Sequence, residues 1–206
     1  MITVLEVMQA SPVIPVLAFE NSTEAVGVCR TLHSAGIKVL EITLRHPSAL
    51  EAIAAVKQAL PDDVIIGAGT VTTPDLAEKA KAAGAVFGVS PGLTADLAAS
   101  VHSLNWPFLP GIASLSEAMA AREMGFTELK FFPANISGGP DFLKAVGSVL
   151  PDLTFCPTGG VSVETAAKYC ALKNVITVGG SWITPREADG SFDLEKIDRL
   201  AHAALL

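Results

Sequence analysis

The stretch Val39-Leu40-Glu41-Ile42-Thr43-Leu44-Arg45 decides how the chain is read. Period-2 alternation puts Glu41, Thr43 and Arg45 on one face and Leu40, Ile42 and Leu44 on the other. An amphipathic strand of this kind is followed at once by Pro47-Ser48, a helix-start signal, and by an Ala-rich run with apolar residues at three- and four-residue spacing. Strand, turn and helix make one βα unit. The apolar face must meet helices, so the acid, the hydroxyl and the guanidinium face the other way, into the interior of whatever the strands enclose.

The same unit recurs along the chain. Strands are expected over 13–19, 39–44, 65–70, 86–90, 107–111, 128–133, 154–158 and 175–179, with centres spaced at about the length of one βα unit. Helices are expected near 23–35, 48–60, 74–83, 94–103, 115–125, 140–150, 163–172 and 193–205. Thr73-Pro74 and Ser114 stand at helix starts, and Ala35-Gly36, Ala83-Gly84 and Met124-Gly125 at helix stops.

Eight alternating units leave a closed parallel barrel or an open doubly wound sheet. The open sheet would more often carry a G-x-G-x-x-G after its first strand, and Phe19-Glu20-Asn21-Ser22-Thr23 has no glycine. The expectation is therefore an α/β chain folded as one closed (β/α)8 TIM barrel over 1–206, with an extra N-terminal helix at 2–10 under the barrel. At 206 residues the chain sits at the compact end for that architecture, which needs at least about 200.

Composition narrows the function. Half the residues are hydrophobic and 17% are charged, which suits a large buried core. Fourteen Lys and Arg against 21 Asp and Glu give a net charge of −7, which argues against nucleic acid as a partner. A local cationic pocket can still hold a small anion. Cys29, Cys156 and Cys170 have no redox or metal spacing and read as free thiols in a reducing cytoplasm; Cys156 reads as a small core residue. Apolar runs are broken before about 18 residues, so no membrane span is expected, and the opening Met-Ile-Thr-Val-Leu-Glu-Val-Met lacks the basic region of a signal peptide.

Chemistry in a parallel barrel lies at the carboxyl ends of the strands. In Glu128-Leu129-Lys130-Phe131-Phe132-Pro133-Ala134, Lys130 is flanked by apolar residues and shares a face with Glu128 and Phe132. A lysine inside an apolar strand is expensive to keep charged. The bland alternatives are a snorkelling lysine and, for Glu41, a structural ion pair. Cys-Pro-Thr-Gly-Gly-Val (156–161) and Val-Gly-Gly-Ser-Trp (178–182) place glycine pairs after the seventh and eighth strands, the usual phosphate site of such barrels. Gly-Ala-Gly-Thr (67–70) and Ser-Pro-Gly (90–92) bring small residues and hydroxyls to the same rim.

Together V-L-E-I-T-L-R, G-A-G-T-V, S-P-G-L-T, P-G-I, K-F-F-P-A, C-P-T-G-G-V and G-G-S-W, in order from 39 to 182, resemble the 2-keto-3-deoxy-6-phosphogluconate (KDPG) and 4-hydroxy-2-oxoglutarate aldolases. The resemblance implies a trimeric barrel and a class I aldolase with neither metal nor other cofactor. It implies Lys130 as the Schiff-base residue and Glu41 as acid and base. Arg45, Thr70, Pro91, Phe132 and Thr158 would bind the keto acid, and Gly159, Gly160, Gly179, Gly180 and Ser181 the distal phosphate. The implied partner is a small phosphorylated keto acid, cleaved to pyruvate and glyceraldehyde 3-phosphate, with 4-hydroxy-2-oxoglutarate as a second substrate. A phosphogalactonate-type aldolase, an isomerase or synthase barrel without Schiff-base chemistry, and a non-catalytic sugar-phosphate sensor remain as alternatives. Trp106, Pro107 and Phe108 are offered as exposed apolar contributors to the trimer, and Lys130→Met is expected to end turnover while raising stability.

Overall fold

Nine short strands, all paired in parallel, alternate with helices in a computed structural model that describes residues 2–205. The strands are β1 (Val13–Leu17), β2 (Val39–Thr43), β3 (Ile65–Gly69), β4 (Phe87–Val89), β5 (Phe108–Leu109), β6 (Gly111–Ile112), β7 (Glu128–Phe131), β8 (Thr154–Pro157) and β9 (Val178–Gly180). Their order is β5-β4-β3-β2-β1-β9 in one sheet and β6-β7-β8 in a second. The chain is thus an α/β protein built on parallel ladders.

The strand expected at 107–111 is split at Pro110. Proline has no N–H to give to a ladder, so β5 pairs with β4 (Gly88↔Phe108) and β6 with β7 (Gly111↔Lys130). The Pro110 carbonyl still accepts from the Lys130 N–H at 2.8 Å. The strand expected at 175–179 also starts late, at Val178. Before it, Val175 makes an isolated bridge to Phe155, and after β8 Thr158 makes another to Gly179. The ladders therefore form two sheets joined by bridges, where the sequence reading expected one continuous eight-stranded ring.

Each strand buries both faces, and the two faces feed different cores. Leu40 and Ile42 of β2, Leu129 and Phe131 of β7 and Phe155 of β8 join the larger core beneath the helices. Ile14, Val39, Phe87, Val89, Leu109 and Cys156 meet in a smaller, separate cluster. Strands of both sheets contribute to it, so the sheets curl around it. Helix α1 (Val4–Gln9), closed at its start by a capping box of Thr3 and Glu6, packs Val7 and Met8 into the same cluster. Among the described residues no helix is long and apolar enough to cross a membrane.

The remaining helices α2 (Ser22–Ser34), α3 (Ala49–Ala59), α4 (Pro74–Ala82), α5 (Ala95–Ser103), α6 (Leu115–Glu123), α7 (Gly139–Val149), α8 (Val163–Cys170) and α9 (Leu194–Ala204) fall within the expected windows to a residue or so. Thr73 and Ser114 cap α4 and α6 through their side chains. Trp106 and Phe108 are not the exposed apolar pair that the sequence suggested: they are 5% and 3% exposed. The Trp106 indole N–H is satisfied by the Ala85 carbonyl at 3.0 Å, and the two rings pack over Gly88.

Inner packing makes a sharp demand at β3. A Cβ on Gly67 would collide with the Phe87 ring, whereas one on Gly27 of α2 would meet nothing within 4 Å. Gly67→Ala is expected to destabilise the fold by about 1–3 kcal/mol through overpacking, and Gly27→Ala to stabilise it by about 0.5–1 kcal/mol through helix propensity. Urea midpoints of the two variants check both signs; equal midpoints would contradict the packing argument.

Candidate active site

The alternation read from residues 39–45 holds in space. With Leu40 and Ile42 turned to the helices, Glu41 and Thr43 project inward from β2, 3% and 2% exposed. β7 obeys the same rule: Leu129 and Phe131 enter the helix-side core and Lys130 points inward, 5% exposed. The two inward groups meet. Lys130 Nζ lies 3.3 Å from Glu41 Oε1, across 89 residues of sequence. Nζ also sits 5.4 Å from the centre of the Phe132 ring.

Two neighbours shape this pair. The first is Gly69 at the end of β3, where a Cβ would occupy the position of the Glu41 carboxylate. The second is Cys156, in register with Lys130 across β7 and β8. Burial pushes its thiol up to about 12, an effect the Lys130 ammonium opposes and the Glu41 carboxylate reinforces. The thiol therefore stays protonated at neutral pH. Sequence reading placed Cys156 in the core, and it does belong to the inner cluster; its closeness to the amine was not legible from the strand alone.

The Lys130–Glu41 contact also revises the stability expected of Lys130→Met. A lone buried ammonium would be relieved by Met, but here its removal strands a buried carboxylate, the costlier outcome.

Arg45 stands at the exposed rim beyond β2. The Thr43 hydroxyl donates to the Leu17 carbonyl at 2.7 Å and accepts from Arg45 Nε at 3.1 Å. Both terminal NH2 groups of Arg45 are left without an acceptor among the described residues, a free fork at the mouth. Thr70, at the end of β3, has φ 60, which is strained for a β-branched residue and is the sort of backbone that persists at functional sites. Pro91 is half-buried at the end of β4, its carbonyl pressed against Gly111. The Thr158 side chain is buried above Gly179, where a Cβ would displace its hydroxyl.

The two glycine pairs, read alike in the sequence, do different things. Gly159 (φ 97) and Gly160 (φ 76) form a loop with two successive left-handed residues just before α8. Their N–H groups, and that of Ser181, have no acceptor among the described residues. Gly179 and Gly180 are buried inside β9, the first making room for Thr158 and the second for the Trp182 indole. Three of the five residues assigned to phosphate thus present free donors, and two are spent on packing. Among the described residues no three metal-ligating side chains come together.

A family model described as KDPG and KHG aldolase matches residues 4–200. The 2-dehydro-3-deoxy-phosphogluconate aldolase of Pseudoalteromonas atlantica is 43% identical over 97% of this chain and 93% of its own. The KHG/KDPG aldolase of Escherichia coli K12 is 39% identical over the same shares. The crystal structure of the Legionella pneumophila KDPG aldolase, with pyruvate captured as a covalent carbinolamine, superposes with a TM-score of 0.95 at 41% identity, covering 100% of this chain and 99% of that one. The chain belongs to the KDPG and KHG aldolase family.

Proposed function

We propose that this class I aldolase, a carbon–carbon lyase, works through a Schiff base on Lys130 and cleaves 2-dehydro-3-deoxy-6-phosphogluconate to pyruvate and glyceraldehyde 3-phosphate. The reading includes cleavage of 4-hydroxy-2-oxoglutarate to pyruvate and glyoxylate. The observation that carries it is the buried contact of 3.3 Å between Lys130 Nζ and Glu41 Oε1. The two groups needed for carbonyl addition and proton transfer lie within reach of one another and away from bulk water.

The steps follow from the geometry. Glu41 takes a proton from the Lys130 ammonium, the freed amine adds to the C2 carbonyl, and that proton leaves with the carbinolamine oxygen as water, giving an iminium. That cation accepts the electron pair released when C3–C4 breaks. Glu41, the carboxylate beside the amine, takes the proton from the C4 hydroxyl and then returns it to C3 of the enamine. Water adds to the resulting iminium and frees pyruvate and Lys130. Arg45 would grip the substrate carboxylate with its free fork, aided by the Thr158 hydroxyl, while Thr70, Pro91 and Phe132 bound the keto-acid end. Free N–H groups of Gly159, Gly160 and Ser181 suit the distal phosphate, with Gly179 and Gly180 supporting from below.

The same reading takes the two sheets as one closed (β/α)8 barrel over 1–206, whose end residues Met1 and Leu206 lie outside the described residues. The bridges from β8 to β9 and the single proline between β5 and β6 support it. A homotrimer working in the cytoplasm completes it. Sedimentation at equilibrium tests the assembly, and a monomer mass rejects it.

Two chemical tests follow. Pyruvate with borohydride is expected to leave a reduced adduct on Lys130, read by intact mass and peptide mapping, while cleavage rates on phosphogluconate-, phosphogalactonate- and oxoglutarate-type substrates rank the first highest. Label elsewhere, or no label, defeats the mechanism; a different ranking corrects only the substrate. Separately, Lys130→Met is expected to abolish turnover and to cost about 3–5 kcal/mol, the penalty of stranding Glu41. Adding Glu41→Leu should recover most of that loss in urea titrations. A single variant as stable as the parent would refute the pairing.

A further inference from the structure

The end of β1 shows an unusual arrangement of acceptors. Three successive backbone carbonyls are each taken by a side chain, two from the end of β2 and the turn after it and one from Arg186. Leu17 O accepts from Thr43 Oγ1 at 2.7 Å, Ala18 O from Arg186 Nη2 at 3.1 Å, and Phe19 O from Ser48 Oγ at 3.2 Å. Arg186 comes from the segment between β9 and α9, far from β1 in sequence.

Both terminal nitrogens of its guanidinium are engaged. Nη1 donates to Glu24 Oε1 at 2.8 Å and to the Gly190 carbonyl; Nη2 donates to Glu24 Oε2 at 3.1 Å as well as to Ala18 O. All four terminal N–H bonds are therefore used. The guanidinium lies 4.3 Å over the Phe192 ring, and Phe192 meets Phe19 edge-on at 6.0 Å. Glu24, in the first turn of α2, also takes the Glu20 N–H at 2.9 Å, so the pair clasps both ends of the turn between β1 and α2. Glu24 holds the guanidinium above its ordinary range; the Arg186 side chain is 31% exposed and that of Glu24 18%. A lysine offers neither the fork nor the flat face that this arrangement uses.

We propose that Arg186 is a positioning residue for the keto-acid carboxylate site, acting through the β1 rim on Arg45. Fixing Ala18 fixes the adjoining Leu17 carbonyl. That carbonyl takes the Thr43 hydroxyl proton, which leaves a Thr43 lone pair aimed at Arg45 Nε. With Nε tethered, the two free NH2 groups of Arg45 face the mouth as a preformed fork, and preorganisation of this kind appears in binding rather than in the bond-breaking step. The inference rests on the reading that Arg45 grips the substrate carboxylate.

Steady-state kinetics on intact enzyme test it. Arg186→Met is expected to raise KM about fivefold or more while kcat stays within about twofold. The rise should be the same factor for phosphorylated and unphosphorylated keto acids, because the fork serves the end they share. Glu24→Leu should act in the same direction, and the double variant should be no worse than Arg186→Met alone. Faster amide exchange over 18–24 with an unchanged KM overturns the inference, since the clasp would then be structural only. A KM rise confined to the phosphorylated substrate also overturns it, placing the effect at Ser181 instead. A wild-type enzyme that cleaves none of the keto acids removes the functional reading and this inference together.

Discussion

An amine and a carboxylate facing each other out of water set the terms for the rest of this molecule. Lys130 and Glu41 are each almost fully buried, and neither charge is tolerable there without the other. Bringing them together across 89 residues requires two strands whose inward faces point at one another, so the sheets must curl. It also requires room. Gly69 yields the volume that the Glu41 side chain occupies, and the inner apolar cluster closes the space below. The parallel ladders, the glycines and α1 can each be understood as conditions for that one contact.

The site divides by chemistry along the rim. On the proposed reading, the carboxylate end of a keto acid would meet a guanidinium fork and two threonine hydroxyls, and those hydroxyls are held rather than free: Thr43 by Leu17 O, Thr158 by the packing that Gly179 permits. The far end has backbone donors on a loop with two successive positive-φ glycines. A net charge of −7 does not oppose this, because fixed dipoles and one oriented guanidinium act at a few ångströms, where the overall charge is screened.

Most of this was legible in the sequence wherever a period carried the signal. Alternation over 39–45 assigns Glu41 and Thr43 to the inner face, and the apolar flanks of Lys130 assign it likewise. What escaped was set by single residues acting across the fold. Pro110 splits one strand because it lacks an N–H, though the strand pattern around it is regular. Trp106 and Phe108 look like a surface patch in a Pro-punctuated run, yet a glycine on the neighbouring strand opens a berth for them. Gly179 and Gly159 sit in similar strings, and only the three-dimensional path reveals that one is a seat for a side chain and the other a presenter of N–H groups. Arg186 carried no signal, since Glu24 and Ala18, the partners that tie it to the β1 rim, lie 162 and 168 residues away.

The thiol of Cys156 shows why a crowded site still has one reactive group. A cation next to a cysteine ordinarily favours the thiolate, and here the cation is the very lysine in question. Burial outweighs that pull, and the Glu41 carboxylate adds to burial, leaving the thiol pushed up to about 12. Lys130 and Glu41 act on the sulfur in opposite directions, and burial is the largest influence on it. On the proposed reading, the burial that surrounds the amine and the carboxylate is also what keeps the adjacent sulfur from competing for the ketone.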